Sequence, residues 1–136
     1  MKADAIVAGA GPAGAAAAIG LVRAGAKILL LERARETGDA LCGGFLSWQS
    51  LARLEALGIS PETLGGQAVR SVRLFAGKRH SETALPEAAM AVSRHRLDTA
   101  LQAAAVAAGA GLERGVHATA LESGADSPAY AEAQRE

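Results

Sequence analysis

Aromatic residues and cysteines are scarce in this sequence. Only 3% of its 136 residues are Phe, Trp or Tyr, and Cys42 is the single cysteine. One cysteine excludes an internal disulfide and is compatible with a reducing cytoplasm. Half of the residues are hydrophobic, but many of these are alanines, so we expect a core of small side chains. The three histidines, His80, His95 and His117, lack the spacing of metal ligands, and no metal site is predicted.

Neither an excess charge nor a long apolar segment is present. Fourteen Lys and Arg residues balance fourteen Asp and Glu residues, so the overall charge does not indicate a nucleic-acid partner. No apolar run reaches the roughly 18–20 residues of a membrane-spanning helix, and the chain does not begin with a signal-peptide pattern. We expect a soluble cytoplasmic protein, one domain or part of a larger one, with at most peripheral membrane contact.

The stretch from Asp4 to Glu32 has the pattern of a phosphate-binding turn between a strand and a helix. A short apolar run, residues 5–8, leads directly into a G-x-G-x-x-G motif at residues 9–14. In this motif the first glycine makes the tight turn, the second lets the backbone approach a pyrophosphate, and the third lets helix and strand pack closely. The motif residues that we expect to hold the pyrophosphate are Gly9, Gly11, Pro12, Ala13 and Gly14.

The segment after the glycines completes a dinucleotide-binding unit. Residues 12–23 are rich in alanine, the best helix former, and Gly25 follows where a left-handed cap would lie. Residues 27–31 predict a second buried strand, which ends in Glu32, 18 residues after Gly14. A carboxylate at this distance typically binds the ribose 2′-hydroxyl and disfavours a 2′-phosphate. The unit is therefore predicted to bind FAD or NAD(H) rather than NADP(H).

Two candidate contacts follow Glu32. The polar residues 33–39 are either a solvated connection or a loop in which Arg33 or Arg35 faces the adenosine side of the cofactor. Cys42 precedes Gly43 and Gly44, and adjacent glycines let a backbone pass close to a flat ligand or make a tight bend. We interpret Cys42 itself as a small buried structural residue rather than a redox centre, because no second cysteine is present.

Helical and strand patterns alternate along the rest of the chain. Ser47 is a candidate N-cap for a helix that ends near Leu57, and Ser93 is one for a helix over residues 94–108. Strands are predicted at 69–75 and 79–85, as a hairpin with a locally basic face, and at 90–92, 112–114 and 116–121. Residues 122–136 are polar without periodicity, so we predict that the domain covers 1–121 and that an unstructured tail follows.

These motifs together resemble the N-terminal part of FAD-dependent oxidoreductases of the geranylgeranyl reductase type, within the aromatic hydroxylase or glutathione-reductase-like superfamily. The resemblance covers about residues 3–121. It depends on the glycine motif with Glu32, on the segment Cys42-Gly43-Gly44, and on Arg94 to Leu101, which reads Arg-His-Arg-Leu-Asp-Thr-Ala-Leu. It implies an α/β fold, a doubly wound, Rossmann-like FAD/NAD(P)-binding parallel sheet with a small β segment inserted at about 69–85.

The resemblance also implies a cofactor, a substrate class and further site residues. Glu32 would bind the adenosine ribose, the backbone around Cys42, Gly43 and Gly44 would line the flavin cleft, and Arg94 would help to hold FAD. The strand after the Arg94 helix would contact adenine near Ala118. The expected activity is flavin-mediated reduction or oxygenation of an apolar substrate such as an isoprenoid, in which the flavin carries the redox chemistry. No catalytic residue can be named.

The family pattern continues beyond this sequence, with a later Gly-Asp motif and a substrate sheet, so we expect a truncated member or an N-terminal portion. Two alternatives stay open at this point. The first is an NAD(H)-binding dehydrogenase domain, which would not need the Cys-Gly-Gly and Arg94 motifs. The second is a non-catalytic nucleotide-binding or interaction module.

Overall fold

A three-stranded parallel sheet carries the N-terminal motif. The computed structural model describes residues 2–124 and 127–135, and the side chains of residues 2–119. Strands β1 (Ala5–Ala8), β2 (Ile28–Glu32) and β6 (Gly111–Arg114) lie in the order β1-β2-β6, all parallel. Ala8 is opposite Leu31, and Glu32 is opposite Arg114, so the carboxyl ends of the strands meet at one edge. The motifs predicted to bind the dinucleotide therefore end at the same edge, as open α/β sheets require of a ligand site.

Alanine-rich helices pack closely beside this sheet. Helix α1 (Pro12–Arg23) contacts β1, β2 and α3 (Arg94–Ala108), and α3 also contacts β6. Helix α2 (Trp48–Ala56) and a 3-10 turn (Pro61–Leu64) come later in the chain than β2, and α2 packs against the antiparallel sheet described below. The core contains many small side chains, as the composition predicts. Its fully buried residues include Ala15, Ala18, Ile19, Ile28, Leu30, Leu101 and Ala105. None of the described helices has the length and apolar character needed to span a membrane.

An antiparallel sheet contains the predicted hairpin. Strands β3 (Phe45–Leu46), β4 (Gln67–Ala76) and β5 (Arg79–Ala91) lie in the order β3-β5-β4, and Gly77 and Lys78 connect the last two. The hairpin is longer than predicted, because one strand covers both 79–85 and most of the separately predicted 90–92. The pairing register shifts between Val69 and Ser71, opposite the part of β5 that contains Pro86. Proline lacks an N–H and is tolerated in a strand at such an irregularity.

The prediction of an unstructured tail over 122–136 is wrong for the described part of that segment. Strand β7 (Val116–Gly124) runs through the predicted domain limit and pairs antiparallel with β8 (Ser127–Arg135). The sequence of β8 alternates alanines at 129, 131 and 133 with longer polar residues, a period-two pattern that suits a strand. Residues 125, 126 and 136 of the predicted tail lie outside the described residues.

Candidate functional site

The start of α1 differs from the starts of the other two helices. The hydroxyls of Ser47 and Ser93 accept hydrogen bonds from backbone N–H groups of α2 and α3, as the sequence predicts. In contrast, α1 begins after Gly11, which has no side chain to cap it. The N–H groups of Ala13 and Gly14 have no intrahelical acceptor, because the first such bond runs from Ala15 to the Gly11 carbonyl. The exposed donors and the helix dipole together favour an anion at this end.

The glycines of the turn have different surroundings. A Cβ on Gly14 would lie 1.9 Å from the carbonyl oxygen of Gly9, so glycine at 14 permits close packing of α1 on the turn. A Cβ on Gly11 would meet only Nη2 of Arg94, at 3.8 Å. Gly9 has a φ of +95°, which favours glycine in a tight turn. The Gly11 backbone is thus open to the cleft, whereas the absence of a side chain at Gly14 is needed for the packing of α1 on the turn.

Glu32 lies at the end of β2 and contacts the glycine turn directly. Its Oε2 accepts a hydrogen bond of 2.8 Å from Ala10 N–H, and its Oε1 accepts one of 2.9 Å from Ala34 N–H. An ionised carboxylate has about four acceptor positions, so these two bonds leave capacity for ligand hydroxyls. The contacts fix the carboxylate in the same cleft as Gly11 and Arg94.

Arg94 enters the cleft from the first turn of α3. Its Nε and Nη2 each donate a 2.9 Å hydrogen bond to one oxygen of Asp98, one helical turn along. These bonds raise the pKa of the Arg94 guanidinium above its ordinary value, although burial acts in the opposite direction. Cys42 also raises the pKa of Arg94, by less than Asp98 does. A permanent cation with a carboxylate partner is thus held beside the Gly11 backbone, where it can also contact a diphosphate.

Hydrogen bonds of Thr37 and Asp39 bind the loop after Glu32 to α3. Asp39 Oδ1 accepts a 3.0 Å hydrogen bond from His95 N–H, and the His95 ring nitrogen Nδ1 lies 2.7 Å from the Thr37 carbonyl oxygen. Thr37 Oγ1 donates to Gln102 Oε1 at 3.0 Å. These bonds hold the loop as one wall of the cleft, which the glycine turn and α3 complete.

Gln102 is a member of the site that sequence reasoning missed. Its side chain is buried, and its Nε2 donates a 2.7 Å hydrogen bond to the carbonyl oxygen of Ala10 in the glycine turn. Its Oε1 also accepts a hydrogen bond from Arg114. The sequence feature that could have identified Gln102 is the position of a polar residue next to Leu101, on the largely apolar face of α3.

The Cys-Gly-Gly segment lines a second cleft, which shares Arg94, Asp39 and Ala40 with the first. The prediction that Cys42 is buried is wrong, because its side chain is exposed on a loop. Its Sγ accepts a weak 3.5 Å hydrogen bond from Gly44 N–H. Gly44 has a φ of +66°, and a Cβ there would lie 2.9 Å from the Val92 carbonyl oxygen, so the bend depends on glycine.

A third cleft brings Arg33 and Ala118 together. Exposed Arg33 lies there with Glu32 and Gly9, opposite His117 and Ala118 of β7. The structure therefore places all the predicted site residues around three neighbouring clefts or at the adjoining start of α1. Glu32 is common to the first and third clefts, and Arg94 to the first and second.

Comparisons with known proteins agree on a family. The family model described as "FAD binding domain" matches residues 2–135. The menaquinone reductase of Mycobacterium tuberculosis H37Rv is 33% identical over 125 residues, which are 88% of this chain and 31% of that protein. The menaquinone reductase of Mycolicibacterium smegmatis is 41% identical over 59 residues, 43% of this chain and 14% of that protein.

Solved structures share the fold. A geranylgeranyl bacteriochlorophyll reductase-like protein of Thermoplasma acidophilum superposes with a TM-score of 0.83 at 25% identity, over 98% of this chain and 35% of its own. A myxobacterial chondrochloren halogenase, FAD-dependent, has the same TM-score at 19% identity, over 96% of this chain and 32% of its own. The chain spans about a third of the length of the M. tuberculosis relative and of these structures.

Proposed function

Because this chain belongs to the FAD binding domain family, we propose that it forms the FAD-binding part of a flavin-dependent reductase with an apolar, isoprenoid-bearing substrate. The family binds FAD and includes flavin-dependent oxidoreductases. Two similarities support a reductase: the curated relative is named a menaquinone reductase, and the T. acidophilum structure is described as reductase-like. The halogenase is less than 25% identical and supports the fold alone.

The observation that carries the proposal is the open backbone of Gly11 at an uncapped helix start. Glu32 and Arg94 line the same cleft as this backbone, and Glu32 also accepts a hydrogen bond from the neighbouring Ala10 N–H. In the proposed arrangement the turn and the first residues of α1 bind the diphosphate, Glu32 and Arg33 bind the ribose, and Ala118 lies at the adenine. Arg94 neutralises charge on the diphosphate, and the backbone of residues 42–44 borders the flavin. The full proposed set is Gly9, Gly11, Pro12, Ala13, Gly14, Glu32, Arg33, Cys42, Gly43, Gly44, Arg94 and Ala118.

The chemistry of these donors fits FAD. Backbone N–H groups and a guanidinium suit a diphosphate, and a carboxylate with free acceptor positions suits ribose hydroxyls. When bound, the flavin supplies the electron-transfer chemistry. The residues of this chain bind and orient the cofactor, and we assign none of them as acid, base or nucleophile. The carboxylate of Glu32 disfavours a ribose 2′-phosphate at the same position.

The two alternatives make different predictions. The family match decides for FAD over NAD(H) as the cofactor. A non-catalytic module would bind the adenine dinucleotide without transferring electrons to a substrate. The cytoplasmic location, with at most peripheral contact to a membrane that holds the apolar substrate, is part of this proposal and rests on the sequence.

Titration of the chain with FAD, ADP, NAD⁺ and NADP⁺ tests the binding part of the proposal. We expect FAD and ADP to bind, and NADP⁺ to bind more weakly than either. Equal affinity for FAD and NADP⁺ would show that Glu32 does not face the ribose. For the activity, this chain replaces the matching part of the M. tuberculosis menaquinone reductase, so that the remaining two thirds of the length are supplied. The flavin of this chimera is reduced without oxygen and mixed with a menaquinone, and recovery of the yellow oxidised flavin is measured. A chimera that binds FAD but whose reduced flavin reoxidises only when oxygen is admitted would contradict a reductase.

A further inference from the structure

Gln102 and Glu32 both hold the backbone of the glycine turn, through the two polar main-chain groups of Ala10. Only 4% of Gln102 is exposed. Its Nε2 donates to the Ala10 carbonyl oxygen at 2.7 Å, across 92 residues of sequence. The N–H of the same alanine donates to Glu32 Oε2 at 2.8 Å. Ala10, between the first two glycines of the motif, is therefore fixed through both its N–H and its carbonyl group.

The orientation of the Gln102 amide is set by its other partners. Its Oε1 accepts hydrogen bonds from the Thr37 hydroxyl and from Arg114, which have donors to offer at those positions. A carboxamide has one acceptor atom and one donor atom, so these two contacts direct the NH₂ group to Ala10. The acceptor that this NH₂ group holds is a main-chain carbonyl.

The Ala10 carbonyl and the Gly11 N–H belong to one peptide unit. No described peptide bond is cis, and in a trans peptide the C=O and N–H point in opposite directions. A hydrogen bond that draws the carbonyl towards α3 consequently turns the N–H away from it. Gly11 borders the cleft, and its N–H has no acceptor among the described residues.

We propose that Gln102 is a positioning residue that aims the Gly11 N–H at the diphosphate of the bound cofactor. The proposal rests on the function proposed above, since it assumes a diphosphate at the start of α1. Gln102 itself does not need to touch the ligand. Preorganised donors of this kind are effective because they are already oriented when the ligand arrives.

The test compares a ligand that has the diphosphate with one that lacks it. Gln102→Met removes the donor at similar volume and without charge, and Gln102→Glu keeps the acceptor while removing the donor. Gln49, exposed on α2, provides the matched controls Gln49→Met and Gln49→Glu. Dissociation constants for ADP and for adenosine are measured by calorimetry and ligand-observed NMR, and unfolding is followed for each variant.

Both Gln102 variants should bind ADP about tenfold more weakly, the effect of losing a hydrogen bond to a charged group, with adenosine binding unchanged. The Gln49 variants should match the parent for both ligands. Equal losses for ADP and adenosine would show a purely structural role and overturn the proposal. A loss confined to Gln102→Glu would come from its new negative charge and would also overturn it. Failure of the parent chain to bind ADP would instead refute the proposed function.

A measurement on the parent chain avoids the risk that a buried substitution prevents folding. In an amide NMR titration, ADP should shift the Gly11 N–H signal strongly downfield, as expected for a new bond to a phosphate oxygen, and adenosine should not. If ADP binds and the Gly11 signal stays in place, the proposed role of Gln102 is wrong.

Discussion

Arg94 and Asp98 form an ion pair with two 2.9 Å hydrogen bonds inside the first turns of α3. A cation near a helix N-terminus is disfavoured by the helix dipole, so Arg94 needs an anionic partner there. Asp98 is that partner within the protein, and it leaves the guanidinium beside Gly11. The pair therefore combines a structural contact with a position at the cleft.

A double-variant experiment separates these two roles of Arg94. Arg94→Ala should lower the unfolding free energy by about 1–3 kcal/mol, because it leaves the carboxylate of Asp98 without its partner. It should also weaken ADP binding about tenfold. Arg94→Ala combined with Asp98→Ala should recover most of the stability, measured by urea unfolding, but not the affinity. Recovery of both would mean that Arg94 does not contact the ligand.

Gly11→Ala should weaken binding without unfolding the protein. A Cβ at this position makes only an ordinary contact with Arg94, so the melting temperature should change little. The same methyl group occupies the space through which a diphosphate approaches the backbone. ADP affinity should therefore fall by about tenfold or more, which is the size of loss expected from a steric conflict in a packed site. Unchanged affinity in calorimetry would show that the turn is only structural.

Gly14→Ala should instead destabilise the fold. Its Cβ would lie 1.9 Å from the Gly9 carbonyl oxygen, so the backbone must move, at a cost of about 1–3 kcal/mol in unfolding free energy. Gly20→Ala is the control in the same helix, because nothing lies within 4 Å of its Cβ. It should stabilise the protein by about 0.5–1 kcal/mol through helix propensity. Equal effects of the two substitutions in urea unfolding would contradict the close packing at Gly14.

Glu32→Ala should remove the discrimination between ribose and deoxyribose. The parent should bind ADP about tenfold more tightly than 2′-deoxy-ADP, because the carboxylate accepts a hydrogen bond from the 2′-hydroxyl. In the variant the two ligands should bind equally. Since the variant also loses the contacts to Ala10 and Ala34, only the ratio of the two affinities is diagnostic. A ratio that survives the substitution would place Glu32 away from the ribose.

The hairpin has a pH-dependent contact that is independent of the site. Hydrogen bonds from Arg73 and Ser71 lower the pKa of Glu82. Such a contact stabilises the folded state above the ordinary glutamate pKa, and the effect is lost as the pH falls through the lowered value. Arg73→Ala should raise the pKa of Glu82, measured by NMR titration of its carboxyl carbon. Arg79→Ala, at the turn end of β5, is the control and should leave that pKa nearly unchanged.

The local elements could be predicted because their causes are local. The run over 5–8, the glycine motif and the alanine-rich segment give β1, the turn and α1 at the predicted positions. Ser93 caps α3, and Gly109 ends it with a φ of +114°. Hydroxyl caps and left-handed glycines act on backbone groups a few residues away, so the sequence alone identifies them. Strand β8 was missed because alternating alanines give a weak signal beside polar neighbours.

The arrangement of the site could be predicted from the sequence only in part. From the sequence by itself came the glycine turn with Glu32 and the expectation of a dinucleotide, which depend on short-range spacing, and the fold class, which the family resemblance implies. Only the tertiary structure showed that Cys42 is exposed, that Asp98 is the partner of Arg94, and that Gln102 bonds to the glycine turn. In the sequence, a glutamine in a helix is as compatible with a solvated face as with a core, because its burial and its partners are not known. Those partners lie as far as 92 residues away in the chain, and only the packing of α3 against the turn brings the two groups within hydrogen-bond distance.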